Sequence, residues 1–167
     1  MVAGLKPCIK WPNDVWIDGR KCCGILIKSQ QAADQSFVAS VGVGINVNQD
    51  MSPSSIEPEL AAQATSLRTA LGSPIDRETL LAVFCNRLEL LLSFEQPAIM
   101  AEYRRYDMLL GKQVTIKPKL IEDAEGYEAE VLGYDADGSL LVRRIDNNTT
   151  ASLVYGEVMV RPTTPSL

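Results

Sequence analysis

Lys10-Trp11-Pro12-Asn13-Asp14 sets a cation beside a proline-fixed turn and two short polar side chains. Proline locks its own φ and restricts the residue before it, so the backbone just after Lys10 has little freedom and the ammonium is held in place. A lysine so held can neutralise phosphate charge. It can also stabilise the negative oxygen that develops when a carboxylate attacks an α-phosphate or an amine attacks an acyl adenylate. By residue type alone the same lysine reads as a solvated side chain at a strand end. Asn13 and Asp14 are turn formers whose side chains bond nearby backbone. Next to Lys10 they could instead orient the ammonium or, for Asp14, assist an incoming amine.

Two glycine-bearing stretches follow, Gly24-Ile25-Leu26 and Gly42-Val43-Gly44-Ile45-Asn46-Val47-Asn48. Glycine inside a strand weakens packing unless something must approach the backbone closely. A flat ring ligand is one such thing; a bulge or a tight sheet crossing is another. The Gly-x-Gly pair does not match the dinucleotide-binding fingerprint, which needs a third glycine and a following helix. Asn46 and Asn48 could read an adenine or ribose edge, or simply open the next loop.

These residues must be positioned by a sheet. Cys8 to Ile45 reads as successive strands: one ending at Lys10, Val15-Trp16-Ile17, Arg20 to Ser29 after the two-residue turn Asp18-Gly19, and Ser36 to Ile45. Residues 46–58 are rich in Asn, Ser and Pro and read as a loop. Glu59 to Leu71 is expected to be one helix closed by Gly72, and Asp76 to cap a second running to Phe94. On that second helix Leu80, Leu81, Phe84, Leu88, Leu91 and Leu92 recur at helical spacing and are expected to be core. Pro97 opens a third helix to about Leu110. Five short strands are expected after Gly111: Val114 to Lys117, Tyr127 to Tyr134, Ser139 to Arg144, Ala151 to Tyr155 and Val158 to Arg161. Strands of that number and length suit a small SH3-like β-barrel.

A chain of 167 residues, 46% hydrophobic and 22% charged, has the make-up of a globular protein with one core and a small second module. The net charge of -5 argues against a broad nucleic-acid face. Arg104-Arg105 and Arg143-Arg144 read as solvated pairs. The chain has no histidine, which excludes Ser/His and Cys/His nucleophile pairs and histidine metal sites. The four cysteines, Cys8, Cys22, Cys23 and Cys85, have neither metal nor disulfide spacing, and Cys22 and Cys23 are expected on opposite faces of a strand. Reduced thiols, no signal-like segment and no apolar run of membrane length point to a cytoplasmic protein without membrane contact.

The order of motifs resembles the biotin protein ligases. The resemblance rests on Lys10 to Asp14, the Gly19-Arg20-Lys21 to Leu26 hairpin, Gly44-Ile45-Asn46, Ala64-Thr65-Ser66-Leu67, and Gly156-Glu157-Val158 before Arg161. It implies an α+β fold: a partial mixed or antiparallel sheet packed with helices, of the class II synthetase-like biotin/lipoate ligase core, over residues 1–110. The small SH3-like barrel would occupy residues 111–167. It implies formation of biotinyl-5'-AMP from biotin and ATP with Mg²⁺, then transfer to a lysine of the biotin carboxyl carrier domain of a biotin-dependent carboxylase. Lys10 is then the catalytic residue. Trp11, Asn13, Asp14, Gly24, Ile25, Leu26, Gly44, Ile45 and Asn46 would bind substrate or adenylate, Gly24 and Ile25 through backbone groups, and no protein metal site is implied.

The family's Gly/Arg-rich ligand-closing segment has no counterpart before Lys10, and Lys28 stands where many relatives carry an acid. The chain alone is therefore expected to be weak or inactive. It would be part of a larger ligase, or a shortened non-catalytic relative that docks a carrier protein or partner subunit. Its uncovered sheet would be met by a missing N-terminal part or by a second copy in a homodimer. Lipoate ligases share a related core but differ in their motifs around the lysine.

Overall fold

The computed structural model describes residues 4–31, 34–52, 54–117, 125–154 and 157–160. The chain divides into two compact units, Met1–Ser93 and Phe94–Leu167. Among the described residues no helix is long and apolar enough to cross a membrane.

In the first unit, β1 (Pro7–Lys10), β2 (Asp14–Ile17), β3 (Arg20–Gln31) and β4 (Phe37–Ile45) form one antiparallel sheet in chain order. The β2–β3 hairpin turns at Asp18 (φ 48°) and Gly19 (φ 75°). Both are left-handed, as a two-residue turn between right-twisted strands requires. A register shift at Val15/Trp16 interrupts strict alternation in β3, and both Cys22 and Cys23 are buried. All four cysteines are free.

The single helix expected over Glu59 to Leu71 is two: α1 (Pro58–Gln63) and α2 (Leu67–Leu71). Long-range bonds separate them. Ala64 bridges to Lys21, Thr65 N–H donates to Lys21 O (2.8 Å), and Ser66 caps α2 by accepting from Thr69 N–H (3.1 Å). Ser66 Oγ in turn donates to Gln49 O (2.7 Å), and both Thr65 and Ser66 are fully buried. Gly72 closes α2 in the left-handed region (φ 78°).

Asp76 caps α3 (Arg77–Leu92) by accepting from Thr79 N–H (2.7 Å), as expected. The leucine stripe of α3 is not core. No residue of this helix is buried; Leu81, Leu88, Leu91 and Leu92 are exposed, Leu92 at 76%. Helical spacing specifies an apolar face, but not that anything within the described residues will cover it. The same holds at the sheet, where Leu26 and Ile27 on β3 and Phe37 (78%), Val38 and Val41 on β4 are exposed.

In the second unit, α4 (Gln96–Arg105) ends before the expected Leu110 because Asp107 accepts from Leu109 N–H (3.0 Å) and Leu110 N–H (2.8 Å), turning the chain. The second unit begins at Phe94 and so includes α4, whereas the boundary is expected at residue 110. The strands β5 (Gln113–Lys117), β6 (Tyr127–Tyr134), β7 (Leu140–Arg144), β8 (Thr150–Leu153) and β9 (Glu157–Val160) form one antiparallel sheet in the order β8-β7-β6-β5-β9. Closure of this sheet into an SH3-like barrel is a further step that the pairing does not include.

Alternation buries Val114 and Ile116, Ala129 and Val131, and Leu140 and Val142, with Leu109, into one core. The arginine pairs are engaged locally: Arg105 with Glu102, Arg143 with Glu130, Arg144 with Asp146, and Arg104 on Tyr134 O. Tyr155, Gly156 and Arg161, which belong to the expected last strands and to the late family motif, lie outside the described residues.

Candidate functional site

One row of residues crosses the whole first sheet. Lys10 stands opposite Asp14, Asp14 opposite Gly24, and Gly24 opposite Gly44. Directly opposed residues share a face, so a cation, a carboxylate and two positions without side chains lie in line. Two residues along the same face, Leu26 opposes Gly42. The result is an open concavity of about 520 Å³ with Asp14 and Lys21 at its polar end and Gly24, Leu26, Gly42 and Gly44 along it.

The glycines here have distinct physical reasons. A Cβ on Gly24 would lie 3.2 Å from both Cε and Nζ of Lys21 and 3.5 Å from Asp14 Oδ1, so the end of the lysine side chain would have to give by a few tenths of an ångström. At Gly42 and Gly44 the nearest atoms would be carbonyl oxygens at 3.6 and 3.8 Å, ordinary contact distances. The chain itself therefore has room for a methyl at these two positions, which rules out a tight sheet crossing as their cause. What the glycines provide is a bare floor.

Lys10 is half-buried at the end of β1, with Nζ 4.7 Å from the centroid of the Trp16 ring. A cation over an indole face is attracted by the ring quadrupole, and this holds the ammonium on the Asp14 face of the sheet. Lys10 stands beside the concavity and is not part of its lining. The Trp11–Pro12 peptide is cis, and Trp11 is only 4% exposed. Trp11, expected to touch the adenylate, is a buried residue of that turn. Asn13 ties that turn to β3: its carbonyl accepts from Ile25 N–H (2.9 Å), and its amide donates to Ile25 O. Both backbone polar groups of Ile25, expected to face a ligand, thus already have a partner in Asn13.

The downstream positions divide likewise. Ile45 opposes Cys23, one residue out of step with the glycine row and therefore on the other face. Asn46 is structural in this arrangement. Its N–H donates to Cys22 O (2.9 Å), its carbonyl accepts from Leu67 N–H (2.9 Å), and its amide donates to Thr65 O (3.1 Å). Asn48 forms a two-way pair with Ile75, donating to its carbonyl (2.7 Å) and accepting from its N–H (2.9 Å).

Lys21 is the residue that reading the sequence for chemistry passes over. Its Nζ is 2.6 Å from Asp14 Oδ1. The Asp18-Gly19 turn predicts that Lys21 faces β2. The shift at Val15/Trp16, which brings Gly24 rather than Cys23 opposite Asp14, has no marker in the residue types.

Burial, and secondarily the neighbouring Cys23, pushes the Cys22 thiol up to about 11. Cys23 is raised too, by burial and then by the Asp14 charge. Neither offers a thiolate nucleophile at neutral pH. Asp14 is the one carboxylate lining the concavity and is engaged by Lys21; among the described residues no three Cys, Asp or Glu side chains gather as metal ligands. Mg²⁺ usually takes one or two carboxylates with substrate phosphates, and Asp14 is the lining carboxylate that could serve as such a ligand beside a bound triphosphate.

A family model, the Biotin/lipoate A/B protein ligase family, matches residues 5–46, the stretch holding the whole row. The Bifunctional ligase/repressor BirA of Bacillus subtilis (strain 168) is 40% identical over 144 residues, covering 84% of this chain and 42% of that protein. The Biotin--[acetyl-CoA-carboxylase] ligase of Mycobacterium tuberculosis is 30% identical over 126 residues, covering 74% and 43%. Among solved structures, the biotin protein ligase from Aquifex aeolicus in complex with biotin and ATP matches with a TM-score of 0.69 at 26% identity, covering 93% of this chain and 62% of that one. The chain spans less than half the length of the two relatives matched by sequence.

Proposed function

Because the chain belongs to the biotin protein ligase family, we propose that it supplies the lysine-bearing part of a site where biotin is activated as an acyl adenylate and handed to a protein amine. The observation that carries this is the row Lys10–Asp14–Gly24–Gly44, with its glycine-floored concavity. A planar ligand can lie on a floor without side chains, with its anionic end toward the charged end of the row.

In the first step a biotin carboxylate oxygen attacks the α-phosphorus of ATP, the bond to the β-phosphate oxygen breaks, and pyrophosphate leaves. In the second, a lysine amine of a biotin carboxyl carrier domain attacks the anhydride carbonyl, the carbonyl–phosphate oxygen bond breaks, and AMP leaves as the amine gives up its proton. Lys10 acts in both by offsetting negative charge on phosphate and carbonyl oxygens, which counts most in a site that excludes water. Asp14, opposite Lys10, is the group of this row able to take the amine proton. Asn13 acts as a positioning residue, fixing the turn against β3. Mg²⁺ supplies charge neutralisation to the triphosphate when present; no step above is assigned to it.

The reading assigns residues 1–110 to the ligase-like core and 111–167 to a small SH3-like domain; the second sheet's own core, which also takes in Leu109, supports a separate second module without fixing this boundary. Four free cysteines agree with a reducing, cytoplasmic setting. A second reading, a non-catalytic relative that docks a carrier protein or partner subunit, is favoured by the concavity's openness and the uncovered apolar faces of β3, β4 and α3. Single-turnover transfer from preformed biotinyl-5'-AMP to a carrier domain separates the two. In a longer ligase that contains this chain, the ligase reading predicts transfer that Lys10→Ala removes. Carrier binding without transfer, unaffected by Lys10→Ala, favours the docking module.

A further inference from the structure

The geometry points to Lys21 as a second cation of the adenylate site, one that exchanges Asp14 for the phosphate of the bound adenylate. This rests on reading the concavity as an adenylate site. Lys21 is the cationic side chain, and Asp14 the anionic one, among the described residues lining it. Lys10, held over Trp16, lies outside that lining. A phosphate entering the concavity would meet the Asp14 charge, and Lys21 Nζ, 2.6 Å from Asp14 Oδ1, is placed to offset it.

The Lys21–Asp14 pair is open enough to rearrange, with side-chain exposures of 45% and 20%. Partly exposed ion pairs hold weakly, so moving the ammonium from carboxylate to phosphate costs little, and a charge-assisted contact to phosphate replaces what is lost. Gly24 leaves the space in which this happens. The end of the lysine side chain lies 3.2 Å from where a Cβ would stand, so a side chain at this position would crowd it. Lys10 and Lys21 then approach the ligand from the two strands flanking β2, Lys10 from β1 and Lys21 from β3.

Calorimetric titration of the full chain with AMP and, separately, with adenosine tests this. Removing Lys21 alone would also expose the Asp14 charge to the phosphate, so the comparison is made in the Asp14→Asn background. There Lys21→Gln is expected to lower AMP affinity about tenfold and leave adenosine affinity unchanged, while Lys21→Arg keeps most of the AMP affinity. AMP affinity unaltered by Lys21→Gln in that background would overturn the inference, leaving Lys21 a neutraliser of Asp14 and the adenylate reading intact. Failure of the unsubstituted chain to bind either nucleotide would overturn the adenylate reading and this inference with it.

Discussion

Lys10 and Lys21 reach the same sheet face by different routes, and only one was legible in the residues. Lys10 announces itself because Trp-Pro-Asn-Asp follows directly and the constraint is local. Lys21 depends on a register shift beside its own cross-strand partner Trp16, which residue types do not mark. Asn46 and Asn48 are open in the sequence between ligand contacts and loop formers, and their amides donate to Thr65 and Ile75. Lys10→Ala removes a cation–π contact worth about 0.5–1 kcal/mol. Its melting temperature should therefore fall by only a few degrees, while adenylate binding weakens far more, a contrast that differential scanning fluorimetry with and without ligand would read. Cys22 gives a pH prediction. Its folded-state thiol ionises near 11 rather than 9.0, so between those values the folded state holds a proton that the unfolded chain has released. Stability is fully present below pH 9 and falls as pH rises toward 11. Urea melts across that window should show the decline, and Cys22→Ala should flatten it.

At the scale of elements, what was legible followed from local rules. The Asp18-Gly19 hairpin, the Asp76 cap and the alternating strands of the second sheet each need only neighbouring residues to specify them. The break between α1 and α2 does not. Glu59 to Leu71 has helical composition throughout, and Ala64-Thr65-Ser66 leaves the helix because Lys21, Asn46 and Gln49 bond to it from far along the chain. Ser66 sits at the junction, capping Thr69 N–H while donating to Gln49 O in a fully buried position. Ser66→Ala should therefore cost about 1–2 kcal/mol, the upper range for a helix cap, as measured by chemical denaturation. The segment carries Asn46, and through it the end of β4, so the same substitution should also loosen the strand end that holds Gly44. Raised amide exchange at residues 44–47 would report it.

At the scale of the molecule, the two units contrast in how well their own residues cover them. Among the described residues the second unit has seven core side chains that are at most 1% exposed. Among its described residues the first leaves Leu26, Ile27, Phe37, Val38 and Val41 of its sheet and Leu81, Leu88, Leu91 and Leu92 of α3 open to solvent. An edge strand of nine residues carrying Phe37, Val38 and Val41 is a template for further pairing. The isolated chain is expected to self-associate with rising concentration in sedimentation velocity. Phe37→Lys with Val41→Lys, both on one face of β4, should return it toward monomer; a chain monomeric at every concentration would contradict this.

The central claim is that the Lys10–Asp14–Gly24–Gly44 row forms part of an acyl-adenylate site, and calorimetric titration of the chain with biotinyl-5'-AMP tests it most directly. The account predicts saturable one-site binding that Lys10→Ala weakens at least tenfold with the fold retained. Absence of both heat and thermal shift with excess biotinyl-5'-AMP, while a carrier domain still binds, would contradict it.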